Sequence, residues 1–262
     1  MAPVELSRLK PQISALMLQH EDCDRFMRYL VALMEDNRDK TKPHFLRRIS
    51  LLPTFNIPKI VKSELESAFI EFAKQEGDST LPIADALWDF NSYETKILAI
   101  TILASIESQD HHQLVERLAM WIDPKTDPVL VSELLSHSIK NLRIFENDAL
   151  YNLIAQWLGS KEKEIKRTGL KSIILVIASK GFTNLPRIFQ LLDPVIEQPD
   201  VQVQGDLLSL IRKLIDYSQA ETASFLFSRY QLTQNKNTTI FIRKCIQNLD
   251  AYYQDEFKNR FQ

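Results

Sequence analysis

The chain has 262 residues, of which 45% are hydrophobic and 25% charged, and its formal net charge is -2 at pH 7. This composition is ordinary for a folded soluble protein. With only 5 glycines, the sequence is poor in the turns that a β-sandwich or a doubly wound sheet requires. The slightly acidic balance means that a nucleic-acid-binding surface would have to concentrate positive charge on one face.

The first part of the chain, residues 1–79, is predicted to form an N-terminal helical cap. Apolar spacing indicates three helices, near residues 4–18, 22–37 and 58–75. The segment KTKPHFLRRISLLPTFNIPKI, residues 40–60, leads into the last of these helices and contains three prolines, of which Pro58 begins that helix. We interpret it as a short helix from Pro43 to Leu51, followed by a loop that turns into the next helix.

From about Thr80 onward, helical periodicity recurs in pairs. Short breaks at prolines and glycines separate five pairs, roughly at 80–106, 111–140, 145–179, 183–216 and 219–249. Each pair spans about 35 residues, the size of a HEAT-type helical hairpin. One hairpin cannot bury both of its apolar faces, so hairpins stack on one another. The sequence therefore predicts an all-α fold, an α-α superhelix of HEAT-like repeats that forms one continuous solenoid domain over residues 80–262.

One of these helices shows its pattern clearly. Its apolar residues follow the spacing of a single helix face, at Val203, Leu207, Leu210, Ile211 and Leu214. Asp200 stands just before this run, so it is predicted to be the N-cap residue. The stretch from Glu94 to Ile106 is apolar over a wider arc, which predicts a helix that lies between neighbours.

Cysteine and histidine usage argues against a metal or disulfide framework. Cys23 and Cys245 lie far apart and lack the spacing of a zinc site, and the adjacent His111 and His112 point in different directions on a helix. The amino terminus lacks the apolar core of a signal peptide, and the apolar stretch from Ile97 to Ile106 is too short to span a bilayer. We therefore expect a cytoplasmic protein with no metal, no cofactor and no membrane partner.

Three segments of the chain carry recognisable motifs. The segment LWDFNSYETKILA, residues 87–99, has a Leu-Trp pair, a short polar turn, a Glu and then an apolar helix. The other two are LLPTFNIPKIVKSELESAFIEFAKQ (51–75) and TIFIRKCIQNL (239–249). In these motifs and in their helix order, the chain resembles the DNA alkylation repair family of HEAT-like repeat proteins, the AlkD-like glycosylases. The resemblance implies a protein that holds duplex DNA against a concave basic surface and releases alkylated purines without flipping the base into a pocket.

The resemblance also locates the catalytic position. The family has a Trp, three residues, and then an Asp that stabilises positive charge on the sugar. The matching residues here are Pro128 and Ser132. A neutral hydroxyl cannot supply the charge of a carboxylate, and the neighbouring Glu133 is rotated by about 100° around the helix. Ser132 and Glu133 are therefore the candidate catalytic positions of an enzyme that has lost the family's aspartate.

Positively charged residues on the later helices are the candidate DNA-binding surface. Lys166 and Arg167 match the family's paired-arginine helix start, and the full set is Lys140, Arg143, Lys166, Arg167, Lys171, Arg212, Lys213, Arg243 and Lys244. The competing interpretation is that these are solvated surface charges. The tryptophans at 88, 121 and 157 are predicted to anchor neighbouring hairpins rather than to stack on bases.

Three functions stay open at this point. The leading hypothesis is a diverged AlkD-like protein that binds duplex DNA through backbone contacts without excising bases. The alternatives are a scaffold that binds a protein partner on the same concave surface, and an active alkylpurine DNA glycosylase that uses other residues. A basic face set against an acidic remainder would favour DNA, whereas a mixed or apolar face would favour a protein.

Overall fold

A computed structural model describes residues 6–39, 50, 52–107, 111–141 and 148–261. Over these residues all regular structure is helical and no strand occurs, which confirms the all-α fold class. The chain divides into two compact units, residues 1–142 and 143–262. The predicted boundary after residue 79 falls within the first unit, in a 3-10 turn at Gly77–Thr80, and the division into cap and repeats stays a prediction. No described helix is both long and apolar enough to cross a membrane.

The first unit contains three N-terminal helices and two helical pairs. They are α1 (Leu6–Met17), α2 (Cys23–Asp36), α3 (Lys59–Glu76), α4 (Leu81–Asp89), α5 (Tyr93–Ser105), α6 (His111–Trp121) and α7 (Pro128–Asn141). These helices agree with the predicted ones to within a few residues at their ends. The short helix predicted from Pro43 to Leu51 lies outside the described residues, apart from Ser50.

The second unit contains three helical pairs and a further helix. They are α8 (Asp148–Gly159), α9 (Lys163–Ile177), α10 (Leu185–Glu197), α11 (Gln204–Tyr217), α12 (Gln219–Leu232), α13 (Lys236–Ile246) and α14 (Ala251–Phe261). Helices α8, α10 and α12 pack side by side in one layer, and α9, α11 and α13 pack side by side in the other. The predicted pairs at 145–179, 183–216 and 219–249 are therefore confirmed, because each begins in the first layer and ends in the second.

Helix α5 is the centre of the first unit. It packs against α3 on one side and α7 on the other, with α4 as its hairpin partner. Its buried residues point in most directions around the helix, at Glu94, Thr95, Ile97, Leu98, Ala99, Ile100, Ile102 and Leu103. The wide apolar arc in the sequence is thus explained by neighbours on several sides. This packing fixes the position of α7, which carries the candidate catalytic residues.

Two of the three tryptophans, Trp88 and Trp121, lie between successive pairs, as predicted. Trp88 is the penultimate residue of α4 and Trp121 is the last residue of α6, and their rings stack at 4.7 Å with an interplanar angle of 6°. The side chains are 7% and 5% exposed, respectively, and Trp157 of α8 is 5% exposed. A stacked aromatic pair contributes about 0.5–1.5 kcal/mol beyond the burial of its area. The Trp88–Trp121 stack therefore joins the α4–α5 and α6–α7 pairs.

Glu94 is a buried carboxylate with a structural role. It accepts hydrogen bonds from the backbone N–H groups of Phe55 (3.1 Å) and Asn56 (3.0 Å) and from the hydroxyl of Ser92 (3.1 Å). Asn56 has a φ of 54°, a left-handed conformation that asparagine tolerates better than most residues. The carboxylate therefore holds the loop before α3 against the start of α5.

Helix α14 was not predicted from the sequence. Its aromatic residues Tyr253, Phe257 and Phe261 recur at every fourth position, a spacing that indicates one helix face. The rings of Phe257 and Phe261 lie 4.7 and 5.2 Å from the ring of Tyr230 on α12, and Phe227 lies 5.5 Å from Phe257. We call these four residues, Phe227, Tyr230, Phe257 and Phe261, the aromatic cluster. Through it, α14 covers the side of α12.

Gly169 marks a close approach between α8 and α9, and its substitution tests this packing. A Cβ atom at this position would lie 3.0 Å from Cδ2 and 3.2 Å from the backbone nitrogen of Leu158. We expect Gly169→Ala to lower the free energy of unfolding by about 1–3 kcal/mol, because backbone cannot move aside cheaply. Gly205→Ala on α11 is the matched control, since nothing lies within 4 Å of its Cβ position. The control should raise the free energy of unfolding by up to about 1 kcal/mol. Urea titrations that give the same change in this free energy for both variants would contradict the close packing at Gly169.

Candidate nucleic-acid interface

The candidate catalytic positions lie in the first two turns of α7. Pro128 is the first residue of the helix, where its missing N–H costs nothing. The Ser132 hydroxyl donates a hydrogen bond to the Pro128 carbonyl oxygen at 2.8 Å. The hydroxyl hydrogen is thereby directed at the helix backbone. Ser132 offers neither a negative charge nor an activated oxygen to a substrate.

Glu133 points into a different environment from Ser132. It lines a cavity of about 270 Å³ between α3, α5 and α7, together with Lys62, Glu66, Tyr93 and His137. Oε2 of Glu133 lies 3.3 Å from Nε2 of His137, and the Glu133 side chain is 44% exposed. Burial raises the pKa of Tyr93, and the negative charge of Glu133 raises it further, so the phenol stays protonated. This cavity holds two carboxylates and is not a phosphate-binding site.

Charge separates sharply between the two layers of the second unit. The layer formed by α9, α11 and α13, here called the basic layer, carries nine Lys or Arg residues and three Asp or Glu residues. The opposite layer, formed by α8, α10 and α12, carries two Lys or Arg residues and four Asp or Glu residues. The helices α3, α5 and α7 of the first unit carry five basic and six acidic residues. Positive charge is therefore concentrated in the basic layer of the second unit.

Two of the predicted DNA-binding residues are neutralised by carboxylates. The Lys166 ammonium lies 2.6 Å from Oδ2 of Asp200, and Nε of Arg167 lies 2.8 Å from Oδ2 of Asp206. The hydrogen bond from Lys166, followed by that from the backbone N–H of Gln202, lowers the pKa of Asp200. The hydrogen bond with Asp206 raises the pKa of Arg167. Both shifts favour the charged forms of Asp200 and Arg167.

The prediction that Asp200 is the N-cap of α11 is wrong. The helix begins at Gln204 and its N-cap residue is Val203. A turn over residues 201–203 separates Asp200 from the helix. The Asp200 carboxylate is occupied by the N–H of Gln202, at 2.9 Å, and by Lys166 of the preceding pair. Its partners thus lie in the turn and in α9 instead of in the first turn of α11.

Two arginines of the basic layer have neutral partners. Nε of Arg212 donates to Oδ1 of Asn248 at 2.9 Å. Arg243 donates to the hydroxyl of Tyr230 from both Nε, at 3.2 Å, and Nη2, at 2.8 Å. These guanidinium groups are oriented without being neutralised. They retain their full charge at the surface.

The lysines of the predicted set differ in their surroundings. Lys213 lies 3.4 Å from Asp216, but both side chains are more than 60% exposed, so this pair is weak. Lys171 and Lys244 are exposed, and in the described part of the chain no ion pair involves them. The side chain of Lys140 and the whole of Arg143 lie outside the described residues.

A larger cavity of the first unit is lined mainly by negatively charged residues, in contrast to the basic layer of the second unit. It has a volume of about 580 Å³ and is lined by four aspartates, at 85, 89, 123 and 127, and by Lys96 and Lys125. The Lys96 ammonium donates to the Trp88 carbonyl oxygen and lies 4.5 Å from the Trp88 ring centroid. Burial lowers the pKa of Lys96, while Asp89 and Asp123 oppose the shift. The net negative lining makes this cavity unsuitable for phosphate, and the two tryptophan rings that border it already stack on each other.

These observations define a class of protein: an all-α chain of stacked helical pairs with one basic layer. The sequence profile of the family described as DNA alkylation repair enzyme matches residues 24–249. The chain belongs to this family. No curated protein and no solved structure matches the chain. Helices α1 and α14 lie outside the matched segment.

The partners of the basic residues were not found from the sequence. Asp206 lies 39 residues after Arg167, and Asn248 lies 36 residues after Arg212. Both distances are about one repeat, because equivalent residues of successive pairs lie side by side. A search for complementary polar residues one repeat apart would have detected these contacts. No metal-binding group of three or more His, Cys, Asp or Glu residues occurs among the residues the structure describes.

Proposed function

We propose that this chain binds duplex DNA through contacts between phosphate groups and the basic layer formed by α9, α11 and α13. The observation that carries the proposal is the separation of charge in the second unit: nine basic and three acidic residues on this layer, against two and four on the opposite one. Phosphate contacts supply most of the sequence-independent affinity for DNA. Membership of a DNA alkylation repair family supports the same partner.

A second part of the proposal is that binding occurs with little or no base excision. Ser132, the residue at the family's aspartate position, is neutral and donates its hydrogen bond to the helix backbone. The nearest carboxylate along the chain, that of Glu133, is paired with His137. The proposed role is therefore to bind DNA, and the residue at the family's catalytic position does not contribute to catalysis.

We also propose a reducing, cytoplasmic setting. Cys23 and Cys245 are both free thiols. Burial raises the pKa of Cys245 to about 12, so this thiol stays protonated and unreactive. Free cysteines of this kind are typical of compartments that keep thiols reduced.

The proposal is tested by a binding titration at two salt concentrations. If about five phosphates are contacted, affinity for a short duplex should fall about 500-fold between 50 and 200 mM salt, because each contact releases a counterion. Replacing Lys171, Lys213 and Lys244 together by glutamine should reduce the slope of log K against log salt by about 2–3.

Lys74→Gln is the matched control, since Lys74 is an exposed lysine on α3 of the first unit. It should leave the slope unchanged. Affinity that is independent of salt, or a triple variant that binds like the wild type, would show that the basic layer does not contact phosphate. Binding of a protein partner on that surface would then be the better explanation of its charge.

A further inference from the structure

Arg212 and Arg243, the two arginines with neutral partners, differ from the other cations of the predicted set whose side chains the structure describes. Resting on the proposed function, we propose that Arg212 and Arg243 bind phosphate and that Lys166 and Arg167 do not. Asn248 and Tyr230 are the positioning residues of Arg212 and Arg243, respectively. The ligand class is a phosphodiester. Two observations support this assignment. The first is the number of N–H donors that each side chain still has free, and the second is whether a neighbouring carboxylate already compensates its charge.

Donor geometry favours the two arginines. A guanidinium group has five N–H donors arranged in a planar fork that matches the oxygens of a phosphate. In Arg212 the bond to Asn248 uses only the Nε donor. In Arg243 the bonds to Tyr230 use the Nε donor and one donor of Nη2. Within the described residues, both arginines therefore keep donors on their Nη atoms for a bidentate contact.

Charge compensation disfavours Lys166 and Arg167. A phosphate that approached Lys166 would compete with a carboxylate 2.6 Å away, and one that approached Arg167 would compete with Asp206 at 2.8 Å. The approaching phosphate would also be repelled by Asp200 and Asp206 themselves. The net charge of each ion pair is zero, so little counterion release accompanies binding there. These pairs are better explained as bridges between the α8–α9 and α10–α11 pairs.

Tyr230 is suited to hold Arg243 because its own position is fixed. The rings of Phe257 and Phe261 contact it with interplanar angles of 78° and 60°, and the Arg243 guanidinium carbon lies 5.7 Å from its ring centroid. Both phenylalanines come from α14, which lies outside the family-matched segment. Helix α14 thereby supports a residue that orients a cation of the basic layer. A fixed guanidinium loses less side-chain entropy when it binds phosphate than a free one does.

Charge-matched substitutions separate the two sets of cations. Arg212→Gln and Arg243→Gln should each reduce the slope of log K against log salt for a short duplex by about 0.9, and should weaken binding several-fold. The double variants Lys166→Gln Asp200→Asn and Arg167→Gln Asp206→Asn should leave the slope unchanged and alter affinity by less than about twofold, since each removes both charges of an ion pair. Thermal unfolding of each variant identifies any loss of fold.

A double-mutant cycle tests the positioning role of Tyr230. Tyr230→Phe keeps the aromatic cluster and removes only the hydroxyl acceptor, so it should weaken DNA binding by about twofold to fivefold without lowering the unfolding temperature. In the Arg243→Gln background, Tyr230→Phe should have no further effect, because the hydroxyl acts through Arg243. A merely structural role would give the same loss in both backgrounds.

The outcomes distinguish this assignment from the proposed function. Wild-type binding that depends on salt, combined with an unchanged slope in the Arg212→Gln Arg243→Gln double variant, would overturn the assignment and leave DNA binding intact. Equal losses from Arg243→Gln and from the Arg167→Gln Asp206→Asn double variant would overturn the distinction between compensated and uncompensated cations. A wild-type chain with no salt-dependent affinity would overturn the proposed function and, with it, this assignment.

Discussion

Glu94→Ala is expected to lower the free energy of unfolding by about 3–5 kcal/mol, a large fraction of the stability of an ordinary domain. Glu94 is 7% exposed. Its removal takes the acceptor from the N–H groups of Phe55 and Asn56, and each buried donor left without an acceptor costs about 1–3 kcal/mol. The loop holding Asn56 at a φ of 54° would lose its main restraint. Chemical denaturation of the purified variant measures the loss.

The control for this experiment is Glu71→Ala. Glu71 lies on the exposed face of α3, and a surface substitution of this kind changes stability by about 0.5 kcal/mol or less. A loss of stability confined to Glu94→Ala would show that Glu94, in the segment LWDFNSYE, stabilises the fold through its hydrogen bonds to the loop before α3. If both variants unfold at the same denaturant concentration, the hydrogen bonds of Glu94 do not stabilise the fold.

The second large effect expected is an absence of catalysis. Excision of a cationic alkylpurine passes through a sugar that carries positive charge, and a fixed group of opposite charge near such a centre contributes about 10²–10³-fold to the rate. Ser132 has no charge to contribute. We expect the wild type to release 7-methylguanine from duplex DNA at a rate within about tenfold of the uncatalysed one. Chromatography of the released base measures this rate.

Two variants sharpen the excision experiment. Ser132→Asp should restore little activity, because Pro128 stands where the family has a tryptophan and gives no aromatic wall to orient the DNA backbone. Glu133→Gln should leave the low rate of the wild type unchanged. Robust excision by the wild type that disappears in Glu133→Gln, but not in Ser132→Ala, would make Glu133 the catalytic carboxylate and the cavity between α3, α5 and α7 the active site.

Local sequence patterns were sufficient to predict the helical pairs. The face formed by Leu207, Leu210, Ile211 and Leu214 is buried in α11 as its spacing predicted. Trp88 and Trp121 were correctly assigned to a contact between hairpins, because large aromatic residues in repeats mostly fill the core. Both inferences depend on residues that lie within a few positions of each other, where helix geometry alone decides which side chains share a face.

Contacts between repeats could not be predicted in the same way. The pairing of Arg167 with Asp206 depends on how far α11 is shifted along α9, and no local pattern encodes this shift. Asp200 carried the sequence signature of a helix cap, yet the Lys166 side chain of the preceding pair and a nearby backbone N–H take up its carboxylate. Helix α14 was missed because most of its residues are polar and only a narrow aromatic stripe marks its buried face.

The aromatic cluster also has a consequence for local unfolding. In a stack of repeats, an end pair has only one neighbour, so it opens more readily than an internal pair and its amide hydrogens exchange sooner. The α12–α13 pair would be such an end within the second unit, but Phe257 and Phe261 give α12 a second packed side. Helix α12 is thereby protected from fraying, and its Tyr230 hydroxyl remains in place to accept from Arg243 between binding events.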